Sequence, residues 1–95
     1  MKAGMTLYIR NDCRISNDKI ETHVFEDHLK YLFELSKTRT VVGGGYVNAP
    51  GGMVVFEASD LNEAHEITRK DPIIHAGYFD YELKEWELVI VSRGE

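Results

Sequence analysis

Arg39-Thr40-Val41-Val42-Gly43-Gly44-Gly45-Tyr46-Val47, then Asn48-Ala49-Pro50-Gly51-Gly52, then Met53-Val54-Val55-Phe56 is the stretch on which the fold turns. Its first part is rich in β-branched residues, its middle is a dense turn signal, and its last part is a short apolar run. Two strands joined as a hairpin are predicted. The missing side chains at Gly43, Gly44 and Gly45 permit a bulge or a close backbone approach in the first of them.

Working outward, Ser59 and Asp60 stand ahead of a helical stretch, and Asp60 with Glu63 three residues on has the spacing of an N-terminal capping box. That helix runs to about Lys70 and ends near Asp71, because Pro72 restricts the residue before it to extended geometry. On the other side, Ile20, Val24, His28 and Leu32 recur every four residues, with Phe25, Leu29 and Phe33 extending the stripe. This predicts an amphipathic helix from Lys19 to about Lys37. The polar segment from Asn11 to about Asp18 reads as a loop, with Ser16 or Asp18 available as a cap. Met5 to Arg10 alternates, placing Met5, Leu7 and Ile9 on one side and Thr6, Tyr8 and Arg10 on the other, the period of a half-buried strand. Tyr78 to Val91 is the last strand region. Its apolar phase slips at Lys84-Glu85, so a bulge there or a break into a strand and a C-terminal arm is expected. The order β-α-β-β-α-β predicts an α+β, ferredoxin-like sandwich, an antiparallel sheet with two helices on one face.

The 95 residues suit one domain. A hydrophobic content of 43% and a charged content of 28% are near globular averages and argue for a folded chain. Lys and Arg number 11 against 16 Asp and Glu, and the resulting formal charge of -5 disfavours phosphate backbones and anionic lipid. Neither nucleic acid nor membrane is expected as a partner. Recognition of RNA by this strand order would also need basic and aromatic residues on the third strand, which Val54-Val55-Phe56-Glu57 does not supply. No stretch approaches the ~18 apolar residues of a membrane span, and Met1 to Asp12 lacks the apolar core of a signal peptide. A cytoplasmic location is expected. Cys13 is the single cysteine, so neither an internal disulfide nor a cysteine metal cage can form.

Two helices cover one face of such a sheet, yet the other face is not fully polar. Met53 to Phe56 is apolar on both sides, and Tyr8, Val41 and Val55 fall on phases expected to face away from the helices. An apolar surface of that size marks an interaction site. A homodimer packed through the sheet face is therefore expected, with room for a small organic ligand between the sheets.

His28 interrupts the apolar stripe of the first helix and so turns its imidazole toward the sheet. Asp71 closes the second helix in an Asp-Pro pair, an ordinary turn-forming combination on its own. Asp27-His28-Leu29-Lys30-Tyr31-Leu32, the glycine-rich segment about a dozen residues later, Glu57-Ala58-Ser59 leading into Glu63-Ala64, and Lys70-Asp71-Pro72 through Ala76-Gly77 follow one another in a telling order and spacing. In these features the chain resembles the YCII-related family, over about residues 5 to 86. The resemblance implies a ferredoxin-like dimer of the dimeric α/β-barrel superfamily. It also implies a catalytic dyad of His28 and Asp71, and a few relatives look like enzymes acting on small ring compounds such as lactones or chlorinated phenolics. Where a Gly-Pro pair often ends the second strand in that family, this chain has Gly43-Gly44-Gly45.

An imidazole takes and returns protons near neutral pH, and a carboxylate partner fixes its tautomer and stabilises the imidazolium. The expected activity is a dehydrochlorinase-like isomerase or lyase reaction on a small molecule, with no metal and no cofactor motif. The rival expectation is a non-catalytic ligand-binding or regulatory dimer module, since fold does not fix function. Tyr8 and Tyr81 are the aromatic candidates for substrate contact, and Gly44 and Gly45 could present backbone N–H groups to an anionic ligand. The run lacks the Gly-Lys-Ser/Thr ending of a phosphate loop. His23, His65 and His75 show no metal-ligand spacing, and Glu63 and Glu66 around His65 suggest a solvated face.

Overall fold

A computed structural model describes residues 1–93 and shows a four-stranded antiparallel sheet in the order β2-β3-β1-β4, with helices on one side. The elements are β1 (Thr6–Arg14), α1 (Thr22–Ser36), β2 (Val41–Gly45), β3 (Gly52–Phe56), α2 (Leu61–Arg69), α3 (Pro72–His75) and β4 (Phe79–Glu87). This is the ferredoxin-like α+β arrangement, with a third, single-turn helix that the periodicity did not announce. The hairpin pairs without a slip, from Val41 opposite Phe56 to Gly45 opposite Gly52, so the glycines make no bulge. Close approach is the part of the glycines that follow the turn, Gly51 and Gly52. Gly51 has φ +90°, and a Cβ there would press into the Asp12 carbonyl oxygen.

β1 is longer than its alternation indicated. Asn11 to Arg14 pairs with β4, from Asn11 opposite Glu82 to Arg14 opposite Phe79, where a loop was expected. The polar residues there find partners within the fold, so low hydrophobicity did not end the strand. The row Val41, Phe56, Tyr8, Glu85 lies on the side of the sheet that the helices cover. Tyr8 is buried there with Val54, Phe56, Ala64 and Ile67, and Val41 packs against the same group. The expectation that Tyr8 and Val41 face away from the helices is thus corrected, while Val55 does face away. Val55 joins Leu7 and Leu88 in a smaller cluster on the opposite face, flanked by Met5, Ile9 and Val91.

No bulge interrupts β4, which keeps one register from Thr6 opposite Glu87 to Arg14 opposite Phe79. The change of apolar phase has another cause: Phe79, Tyr81 and Leu83 face the helices, whereas Trp86 and then Leu88 face the other way. From Leu88 the chain runs on as an arm, tied to the edge of β1 by Leu88 N–H donating to the Met5 carbonyl at 2.8 Å. At the start of α2 the Asp60 carboxylate accepts from Glu63 N–H at 2.8 Å, and the Glu63 carboxylate accepts from Ser59 N–H at 2.8 Å. The reciprocal arm of the capping box therefore lands one residue early. α1 starts after Glu21 with no side-chain cap, and Ser16 instead accepts from Asp18 N–H at 3.1 Å. Its Phe25, Leu29 and Phe33 stay exposed.

Candidate active site

The extension of β1 carries the consequence for chemistry. Alternation puts Arg10 and Asp12 on the helix-facing side, beneath α1 and the α2–α3 junction. Asp71 stands at that junction as the N-cap of α3, with Pro72 in the first helical position, where its missing N–H costs nothing. Its carboxylate accepts from Ile73 N–H at 3.1 Å. The extended residue before a proline and the cap of the next helix are thus one residue, which aims its side chain inward.

His28, on the side of α1 that packs against α3, meets it there. Nδ1 of His28 lies 2.8 Å from both carboxylate oxygens of Asp71. Arg10 donates to the same carboxylate at 2.9 Å through one terminal nitrogen. With Nε and its other terminal nitrogen it grips Asp12 at 2.8 and 2.7 Å, a bidentate pair. The result is a chain His28, Asp71, Arg10, Asp12. Asp71 is 0% exposed and Arg10 1%, while the His28 side chain keeps 12% of its surface open. Among the described residues every buried side-chain nitrogen and oxygen has a partner.

Burial alone would push the Asp71 carboxyl up. It is outweighed by the His28 hydrogen bond, the charges of Arg10 and His28, and the Ile73 N–H, which together hold it below the ordinary value. Asp71 is therefore an anion at neutral pH and can only accept. The proton of the shared hydrogen bond belongs to His28 Nδ1, so whenever the ring is neutral its lone pair is on Nε2. Arg10 remains a cation, since burial, which works against its charge, is outweighed by Asp12 and Asp71.

The same depression fixes how stability responds to acid. A carboxyl whose folded-state value lies below its unfolded one contributes stability above the unfolded value and loses it as pH falls through the folded one. Glu63 behaves likewise, lowered to about 2 by its hydrogen bonds from Arg39 and Ser59. Urea denaturation across pH should show stability falling from about pH 4 downward, with a shallower fall in Asp71→Asn.

His28 and Asp12 lie in the wall of a cavity of about 200 Å³, together with Phe25, Leu29, Phe79 and Gly45. An apolar cavity of about 150 Å³ holds benzene, so this one suits a single substituted ring. Gly44 also lines it. Tyr8 and Tyr81 do not: Tyr8 lies in the core, and the Tyr81 hydroxyl is engaged with His65 Nδ1 at 2.9 Å. That contact also makes His65 half-buried, against the solvated face expected for it. Asp71 sits behind His28 and contributes no surface to the cavity. Arg10 and Asp12 are the members that sequence reading missed, and the signal available was two opposite charges two apart on a strand. Among the described residues no three His, Cys, Asp or Glu side chains are grouped to hold a metal, and no helix is long and apolar enough to cross a membrane.

Gly45 lines the cavity without a side chain. A Cβ placed there meets only the Gly51 carbonyl oxygen at 3.8 Å, so a side chain would grow into free space. Gly45→Val is expected to leave stability within about 0.5 kcal/mol and to abolish ring binding, read by calorimetric titration and thermal melting.

A family model for the YCII-related domain matches residues 5–87. The uncharacterized protein YjpA of Bacillus subtilis (strain 168) is 37% identical over 62 residues, which cover 64% of this chain and 73% of that protein. Among solved structures, the 5-chloro-2-hydroxyhydroquinone dehydrochlorinase TftG of Burkholderia phenoliruptrix AC1100, in complex with 2,5-dihydroxybenzoquinone, superposes with a TM-score of 0.72. It is 23% identical, over 96% of this chain and 100% of that one, a likeness of fold.

Proposed function

The chain belongs to the YCII-related family, and on that footing we propose that it is an enzyme of isomerase or lyase type acting on a small ring compound. The observation that carries the reading is an imidazole in a cavity wall with Nδ1 held at 2.8 Å by a buried carboxylate. His28 is the general acid–base and Asp71 its orienting partner. Nε2 takes a proton from the substrate, and the imidazolium that forms is stabilised by the Asp71 anion. In an isomerisation the proton is returned at another atom. In an elimination a leaving group departs as an anion with its bonding pair.

The dehydrochlorinase whose fold this chain shares suggests the first compound to try. With 5-chloro-2-hydroxyhydroquinone, wild type should release chloride, and His28→Gln should not, at an unchanged melting temperature. Equal release by both proteins would remove His28 from the chemistry, and none from wild type would remove dehydrochlorination.

The working unit in this reading is a homodimer through the sheet face opposite the helices, a dimeric α/β barrel. Val42, Met53 and Trp86 stand exposed there, and the arm adds Val89 and Ile90. Light scattering at micromolar concentration should give twice the chain mass, and a monomer would contradict the assignment. The lone exposed thiol, Cys13, suits a reducing compartment, in keeping with a cytoplasmic enzyme.

A further inference from the structure

Asp12 is a carboxylate in an unusual position. It lies in the cavity wall with the His28 imidazole and otherwise mainly apolar groups, and its side chain is 9% exposed. Arg10 fixes it through both oxygens, at 2.8 and 2.7 Å. Each carboxylate oxygen has two acceptor positions, and the bidentate pair uses one on each. Acceptor capacity is therefore left over on a group that cannot rotate away. Among the described residues no Lys or Arg lines the cavity, so an anionic ligand would meet the Asp12 carboxylate while the one cation behind it, Arg10, is already engaged by both Asp12 and Asp71.

We propose that Asp12 is a substrate-binding residue, which accepts a hydrogen bond from a hydroxyl of an uncharged ring compound and disfavours ligands carrying a carboxylate or phosphate. This rests on the reading of the cavity as the substrate site beside His28, and it names the substrate class. A neutral hydroxylated ring gives the fixed carboxylate a donor and covers the apolar wall with its face. A ring without a donor desolvates Asp12 and returns nothing. The discrimination is then larger than one lost contact, because a buried acceptor is left unmatched.

The test uses three probes on the wild-type chain: hydroquinone, its dimethyl ether, and para-hydroxybenzoate. Amide and imidazole NMR shifts locate binding, and their titration gives affinity. Hydroquinone should perturb His28 and its cavity neighbours, with the ether and the benzoate each weaker by about tenfold or more. Asp12→Asn, whose amide is uncharged and can donate, should narrow both ratios. A role confined to holding Arg10 in place would move neither. Equal affinity of wild type for hydroquinone and its ether overturns the assignment of Asp12 while leaving the cavity reading standing. Hydroquinone that perturbs no cavity residue overturns both.

Discussion

Arg10→Met is expected to lose about 3–5 kcal/mol of folding free energy, because it strands two buried carboxylates without their cation. Against a total of about 5–15 kcal/mol for a domain, that leaves the fold marginal or lost. The reason lies in the sharing: one guanidinium holds Asp71 at 2.9 Å and Asp12 at 2.7 Å, and among the described residues the one other basic side chain on either acid is the His28 imidazole on Asp71. Arg10→Lys should recover little, since an ammonium cannot reproduce the fork. Adding Asp12→Asn and Asp71→Asn to Arg10→Met should restore much of the stability, because the remaining groups are then uncharged. Urea denaturation of the single and triple variants measures this. A cost under about 1 kcal/mol for Arg10→Met would mean that water reaches the cluster.

His28→Gln is expected to lower turnover by about 10²- to 10⁴-fold, the range for removing a positioned proton carrier. Asp71→Asn should fall in the same range for a different reason. An amide can donate to Nδ1 as readily as accept from it, so the tautomer that leaves Nε2 free is no longer enforced. Its stability cost is moderated by Arg10 keeping Asp12. Steady-state kinetics on chloride release reads both variants. If the chain is a binding module instead, the two changes will alter ligand affinity or stability and there will be no turnover to lose.

Much of this architecture was legible in the residues. The hairpin around Asn48–Gly52, the stripe of α1 and the Asp60 cap each rest on a local rule that tertiary context left alone. His28 was visible because a polar residue broke an apolar period. The faces of β1 were harder. Alternation shows that Tyr8 and Leu7 point opposite ways, but only pairing with Phe56 and Val41 says which side the helices cover. Arg10 was placed only by its phase on the first strand, and Asp12 fell in a polar stretch whose lack of periodicity reads as a loop. Here a partner from sixty-one positions away, Asp71, makes burial of Arg10 affordable, and no local window contains both. Tyr81 was a reasonable contact for a ring until His65 was seen to occupy its hydroxyl.

Imidazole nitrogen NMR bears most directly on the dyad, because hydrogen–nitrogen couplings tell which ring nitrogen carries the proton. In the neutral ring of wild type the His28 proton should sit on Nδ1, facing Asp71 at 2.8 Å, and Asp71→Asn should release that preference. A wild-type His28 with its proton on Nε2, or a tautomer unmoved by Asp71→Asn, would mean that the carboxylate does not orient the ring.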